Sequence, residues 1–89
     1  MKISKVFSDF KKVTAQCELR RTLELIIGTA SYRVEVFYCY SNPRYPWIAQ
    51  TYSEKRNGDW KSIPDFPRVG KKNEEAAIRT ALSFLQDLH

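Results

Sequence analysis

Four aromatic side chains, Tyr45, Trp47, Tyr52 and Trp60, fall within sixteen residues, interleaved with Arg44, Lys55, Arg56 and Lys61. Flat rings stack on unpaired bases at about 1–3 kcal/mol each, and cations set between them track the phosphates. Arg68, Lys71 and Lys72 follow closely. The combination points to single-stranded DNA or RNA. Arg44, Lys55, Arg56, Lys61, Arg68, Lys71 and Lys72 would meet phosphates, and Tyr45, Tyr52 and Trp60 would stack. The rings also have a structural use, because in a small domain Trp47 and Trp60 can fill the core or pair across a hairpin. No RNP1-like string is present.

The charge distribution fits this reading. The net charge is +5; residues 1–12 carry +3, residues 55–72 carry +4, and residues 13–54 balance at zero. A basic patch for a polyanion gives such numbers, and so does an ordinary solvated surface.

Catalytic chemistry is poorly supplied. The single histidine is His89, the last residue, and chain ends are commonly mobile. There is no GxSxG, P-loop or GxGxxG motif. Glu18 and Glu24 share one face of a strand but stand about 20 Å apart at roughly 3.3 Å per residue. Asp59 and Asp65 sit at turns and beside prolines, where aspartate serves the turn itself. Cys17 and Cys39 have no CxxC and no neighbouring histidine, so no metal site is expected. They read as small buried thiols on strands, a disulfide being disfavoured in a reducing cytoplasm. The expectation is a protein that is not an enzyme and needs no cofactor.

The elements that must position these groups follow from periodicity. Ile3, Val6, Phe7 and Phe10 have the spacing of a helix face, but the segment is short and needs tertiary packing to persist as a helix, so 3–12 reads as either a short N-terminal helix or a strand. From Val13 the period becomes two. Val13, Ala15, Cys17, Leu19, Leu23, Leu25 and Ile27 share one face, interrupted by Arg21, where "RRT" marks a bulge or bend. Gly28 sits in a turn. "SYRVEVFYCY" at 31–40 is a strand with Tyr32, Val34, Val36 and Tyr38 on one face, and Phe37 and Cys39 show that the other face is partly covered too. "SNPRYP" ends it, because proline removes a donor. "WIAQTYSEK" is a further strand, "RNGD" a hairpin turn and "DWKSI" the return. "PDFPRVGKK" is a loop, and Asn73 caps a helix over 74–88. Ile78, Ala81, Leu82, Leu85 and Leu88 form its apolar stripe, widened by Ala77 and Phe84.

The fold class is therefore α+β. One domain, 1–89, holds an antiparallel meander of four or five strands with the C-terminal amphipathic helix packed on one face. No run approaches the ~20 apolar residues that span a bilayer. "MKISKVFSDFKK" lacks the apolar core of a signal peptide. A cytoplasmic protein without membrane contact is expected.

Residues 46–88 resemble the core of HicB-type antitoxins, through "IPDFP" at 63–67, Gly70 and "EEAAIRTAL" at 74–82. The resemblance implies a small α/β fold that binds and blocks a ribonuclease toxin, with an interaction role for the loop 64–70. Arg68 stands where the family pattern has glycine, and no DNA-binding domain follows the helix. At the level of topology alone, four antiparallel strands and a C-terminal helix are similar to the Whirly single-stranded-DNA-binding proteins.

The sheet face left open by the helix is the expected working surface. Rings there, surrounded by cations, favour nucleic acid. The same face used as an apolar patch favours the alternative, a protein partner or a homodimer.

Overall fold

In the computed structural model the described residues are Val6, Asp9, Phe10, Lys12 and 16–89. The segment 3–12, read as a short helix or a strand, falls largely outside this set, as do Val13 and Ala15. The remaining elements are β1 (Cys17–Ile27), β2 (Ala30–Cys39), β3 (Trp47–Glu54), β4 (Trp60–Ser62) and a helix, α1 (Glu74–Asp87). The strands form one antiparallel sheet in the order β1-β2-β3-β4, and α1 packs on one face over β2 and β3. This is the α+β meander with a C-terminal helix, built with four strands.

The turns are where their chemistry requires them. Gly28 takes φ +64° as the first residue of the two-residue link between Ile27 and Ala30, the position a II′ turn reserves for glycine. In the β3–β4 turn Gly58 takes φ +88° and donates to the Lys55 carbonyl at 2.9 Å. The Asn57 side chain accepts from the Asp59 amide at 3.1 Å and donates to its carboxylate at 2.9 Å, so Asp59 serves the turn. Asp65 adopts φ +69°, the left-handed region that aspartate tolerates better than most residues.

Alternation sets the helix-side core. Tyr32, Val34 and Val36 of β2 and Ala49 and Thr51 of β3 are buried beneath Ala77, Ala81 and Leu85 of α1. Two alanines at the contact let the helix approach the sheet closely. The buried stripe therefore centres on 77, 81 and 85, with Ile78 and Phe84 at its flanks. Leu82 and Leu88, expected in the stripe, are exposed at 37% and 51%. The reason is placement: α1 packs over β2 and β3, and on its side towards β1 Leu82 borders an open depression shared with Arg21, which pairs with Glu74. Asn73 caps the helix by accepting from the Ala76 amide at 2.8 Å, an interaction worth about 1 kcal/mol.

The bulge expected at "RRT" is present and changes which face β1 presents. Leu19 pairs with Phe37, whereas Arg21 pairs with Val36, so Arg20 is the extra residue. Phe37 and Val36 lie on opposite faces of β2. Leu23, Leu25 and Ile27 consequently join the helix-side core, while Cys17 and Leu19 fall on the open face. The single apolar face expected along 13–27 is thus two half-faces.

The cysteines also depart from expectation. They are joined as a disulfide, and Cys17 is exposed rather than buried. The two are direct partners in the β1–β2 ladder. The Tyr40 amide bonds the Gln16 carbonyl and the Cys39 amide turns away to Pro46, so the pair occupies the closer, non-hydrogen-bonded kind of site. His89 is engaged too: its Nε2 lies 2.7 Å from the Tyr32 hydroxyl and the rings meet edge to face.

Candidate nucleic-acid interface

Backbone contacts bring two loops together at the end of the sheet where β3 begins. The Trp47 amide donates to the Lys71 carbonyl at 3.1 Å, and the Lys71 amide donates to the Trp47 carbonyl at 2.7 Å. Gly70 packs directly on the neighbouring loop, and a Cβ there would collide with the Tyr45 carbonyl oxygen and crowd the Tyr45 Cβ and the Asn42 amide. Arg44 and Tyr45 are thereby fixed beside Lys71 and Lys72. Neither 40–50 nor 66–73 contains a carboxylate. Tyr45 exposes 39% of its surface, and Arg44, Lys71 and Lys72 make no ion pair with any described residue.

An aromatic cluster supports this end from the helix side. Tyr38 meets Tyr40 and Trp47 edge to face at 5.0 and 5.1 Å. Trp47 is half-buried against the core. The Arg20 guanidinium lies 4.9 Å from the Tyr38 ring and 5.8 Å from Trp47, donates to the Tyr40 hydroxyl at 3.0 Å and pairs with Glu18. The Tyr40 hydrogen bond is the first cause that holds Arg20 protonated beyond its ordinary range, with the Glu18 charge adding to it. Arg20 and Tyr38 were not among the candidates read from sequence. The "RRT" bulge was the available signal, since an extra residue re-aims a side chain.

The other candidates lie elsewhere. Lys55 and Arg56 occupy the β3–β4 turn, about 23 Å along β3 at roughly 3.3 Å per residue. Lys61 pairs with Ser53 and so points to the helix side, opposite to Trp60. Tyr52 and Trp60 are on the open face, both half-buried and both occupied. Arg33 caps the Trp60 ring at 4.3 Å and pairs with Glu24 at 2.7 Å. The Tyr52 hydroxyl stands beside Glu35; burial first, and then that carboxylate, raise its pKa above the ordinary 10.0, against weaker opposing effects of Arg68 and Arg33. Arg68 stands over the open face with Phe37, Ile48 and Gln50. The ten candidates thus separate. Arg44, Tyr45, Lys71 and Lys72 come together, and the other six are distributed over the turn, the open face and the helix side.

Among the described residues no group of three or more histidine, cysteine, aspartate or glutamate side chains could hold a metal, and no helix is long and apolar enough to cross a membrane. No protein-family model matches the chain, and no curated protein or solved structure matches it.

Proposed function

We propose that the protein binds single-stranded nucleic acid at the two-loop end of the sheet. Arg44, Lys71 and Lys72 meet phosphates there, and Tyr45 stacks on a base. The observation that carries this reading is the junction of Gly70 with Tyr45 and of Lys71 with Trp47. It gathers three cations without ion-pair partners around an exposed ring, in two loops free of carboxylates. Single-strand binders use these ingredients, a cationic track and a stacking ring. The lower open face is a poorer site for a polyanion. Glu24, Glu35 and Glu54 stand there among Tyr52, whose hydroxyl is engaged by Glu35, and Trp60, whose ring is covered by Arg33.

The test is a fluorescence-anisotropy titration of labelled single-stranded DNA and RNA at several salt concentrations. Each phosphate contact contributes about 0.7 to the slope of log K against log salt for single strands. Replacing Arg44, Lys71 and Lys72 together by alanine therefore lowers that slope by about 2. Replacing Lys55 and Arg56 by alanine leaves it nearly unchanged. The opposite ranking would move the site to the hairpin tip, and no binding by the unaltered protein would end the proposal.

A further inference from the structure

The upper half of the open face holds an apolar depression that nucleic acid at the two-loop end leaves unused. Phe37 and Ile48, cross-strand partners on β2 and β3, line it together with the Cys17–Cys39 disulfide. Gln50 and Arg68 stand at its rim, and its volume is about 260 Å³. Sites for small organic ligands usually enclose roughly 300–1,000 Å³ and cover most of the ligand. This one is smaller and open to solvent, a fit for one side chain rather than a free small molecule.

The electrostatics of the rim narrow the occupant. Arg68 makes no ion pair with any described residue. Glu35 is one register step away, but its carboxylate is held beside the Tyr52 hydroxyl. An unpaired guanidinium next to an apolar floor favours an anion carried on an apolar body, and guanidinium–carboxylate pairing is the strong, geometrically specific case. We propose that this depression seats an apolar side chain from an acidic segment of a partner protein, with a carboxylate of that segment on Arg68. The net charge of +5 draws such a segment in and opposes pairing with a second copy of the same chain. The site uses none of Arg44, Tyr45, Lys71 or Lys72, so it stands apart from the nucleic-acid reading.

The probes are fluorescein-labelled ten-residue peptides that alternate aspartate with leucine or phenylalanine. Two controls replace the aspartates by lysine or the apolar residues by serine. Fluorescence polarisation against the oxidised protein should give saturable binding for the acidic, apolar peptide alone. Arg68→Glu should weaken it by roughly tenfold or more, since reversing the charge turns attraction into repulsion. Arg68→Gln should weaken it less, Ile48→Ser should also weaken it, and Lys71→Ala with Lys72→Ala should leave it unchanged. Circular dichroism and thermal melts check that each variant is folded. Equal binding of either control peptide, or binding that survives Arg68→Glu, overturns the proposal. A concentration-dependent dimer in sedimentation that Ile48→Ser dissolves gives the face to a second copy. Nucleic-acid binding lost in Arg68→Glu without peptide binding gives it to nucleic acid.

Discussion

Tyr52 stands on the open face of β3 with its hydroxyl beside Glu35, half-buried between Arg33 and Arg68. Burial and the adjacent carboxylate both favour the neutral phenol, so the folded protein holds this proton more tightly than the unfolded chain does. The resulting stability is fully present below the ordinary pKa of 10.0 and is lost as pH rises through the raised folded value. Thermal melts between pH 8 and 11 should show a fall in Tm on the alkaline side. Tyr52→Phe should flatten that fall relative to the unaltered protein, and an unchanged profile would clear Tyr52 of the effect. At this scale the sequence was informative about residue type and weak on surroundings. It marked Tyr45, Lys71 and Lys72 as candidates from their chemistry alone. It grouped Tyr52 and Trp60 with them because nothing local says that Glu35 engages the Tyr52 hydroxyl and that Arg33 covers the Trp60 ring. Those partners come from neighbouring strands, and register is needed to find them.

At the scale of elements, two joints organise the molecule. The disulfide closes 22 residues of separation between β1 and β2. Loop-closure entropy for a loop of that size corresponds to about 3 kcal/mol. Replacing Cys17 and Cys39 together by serine should lower unfolding stability by about that amount in urea denaturation, and a loss well under 1 kcal/mol would show that the ladder holds this end without the bond. Such bonds persist in oxidising compartments, which sets this feature against the reducing cytoplasm expected from composition. The second joint is Gly70. Gly70→Ala places a methyl group into the Tyr45 carbonyl, so the two loops must part. If the proposed interface depends on their junction, nucleic-acid affinity falls in this variant although no cation has been removed. Affinity equal to that of the unaltered protein would mean that the loops need not meet. The elements themselves were legible: Asn-Gly, Gly28, Asn73 and the "RRT" irregularity each marked a boundary or defect that the structure contains. The consequence of the bulge was not legible. Whether an extra residue re-aims one side chain or exchanges the faces of a whole strand depends on pairing with β2, which no window of β1 contains.

For the molecule as a whole, the candidate cations do not form one basic surface. Arg44, Lys71 and Lys72 lie at the two-loop end and Lys55 and Arg56 at the hairpin tip, with a mixed-charge sheet face between that carries Arg68. The salt dependence of nucleic-acid binding should accordingly follow Arg44, Lys71 and Lys72 and ignore Lys55 and Arg56. The summed charge of 55–72 suggested a single site because sequence places residues side by side that β3 and β4 carry to opposite ends. Arg20 has a consequence of another kind. β1 is an edge strand of eleven residues whose outer amides and carbonyls have no partner strand among the described residues. A straight edge of that length is a template for cross-β growth. The extra residue divides β1 into segments whose faces are out of phase, so an incoming regular strand cannot match both in one register. Deleting Arg20 leaves every other β1–β2 pair in place and makes the edge continuous. The shortened protein should fold and then form thioflavin-binding fibrils faster than the unaltered chain. Equal lag times would show that colloidal stability is secured elsewhere.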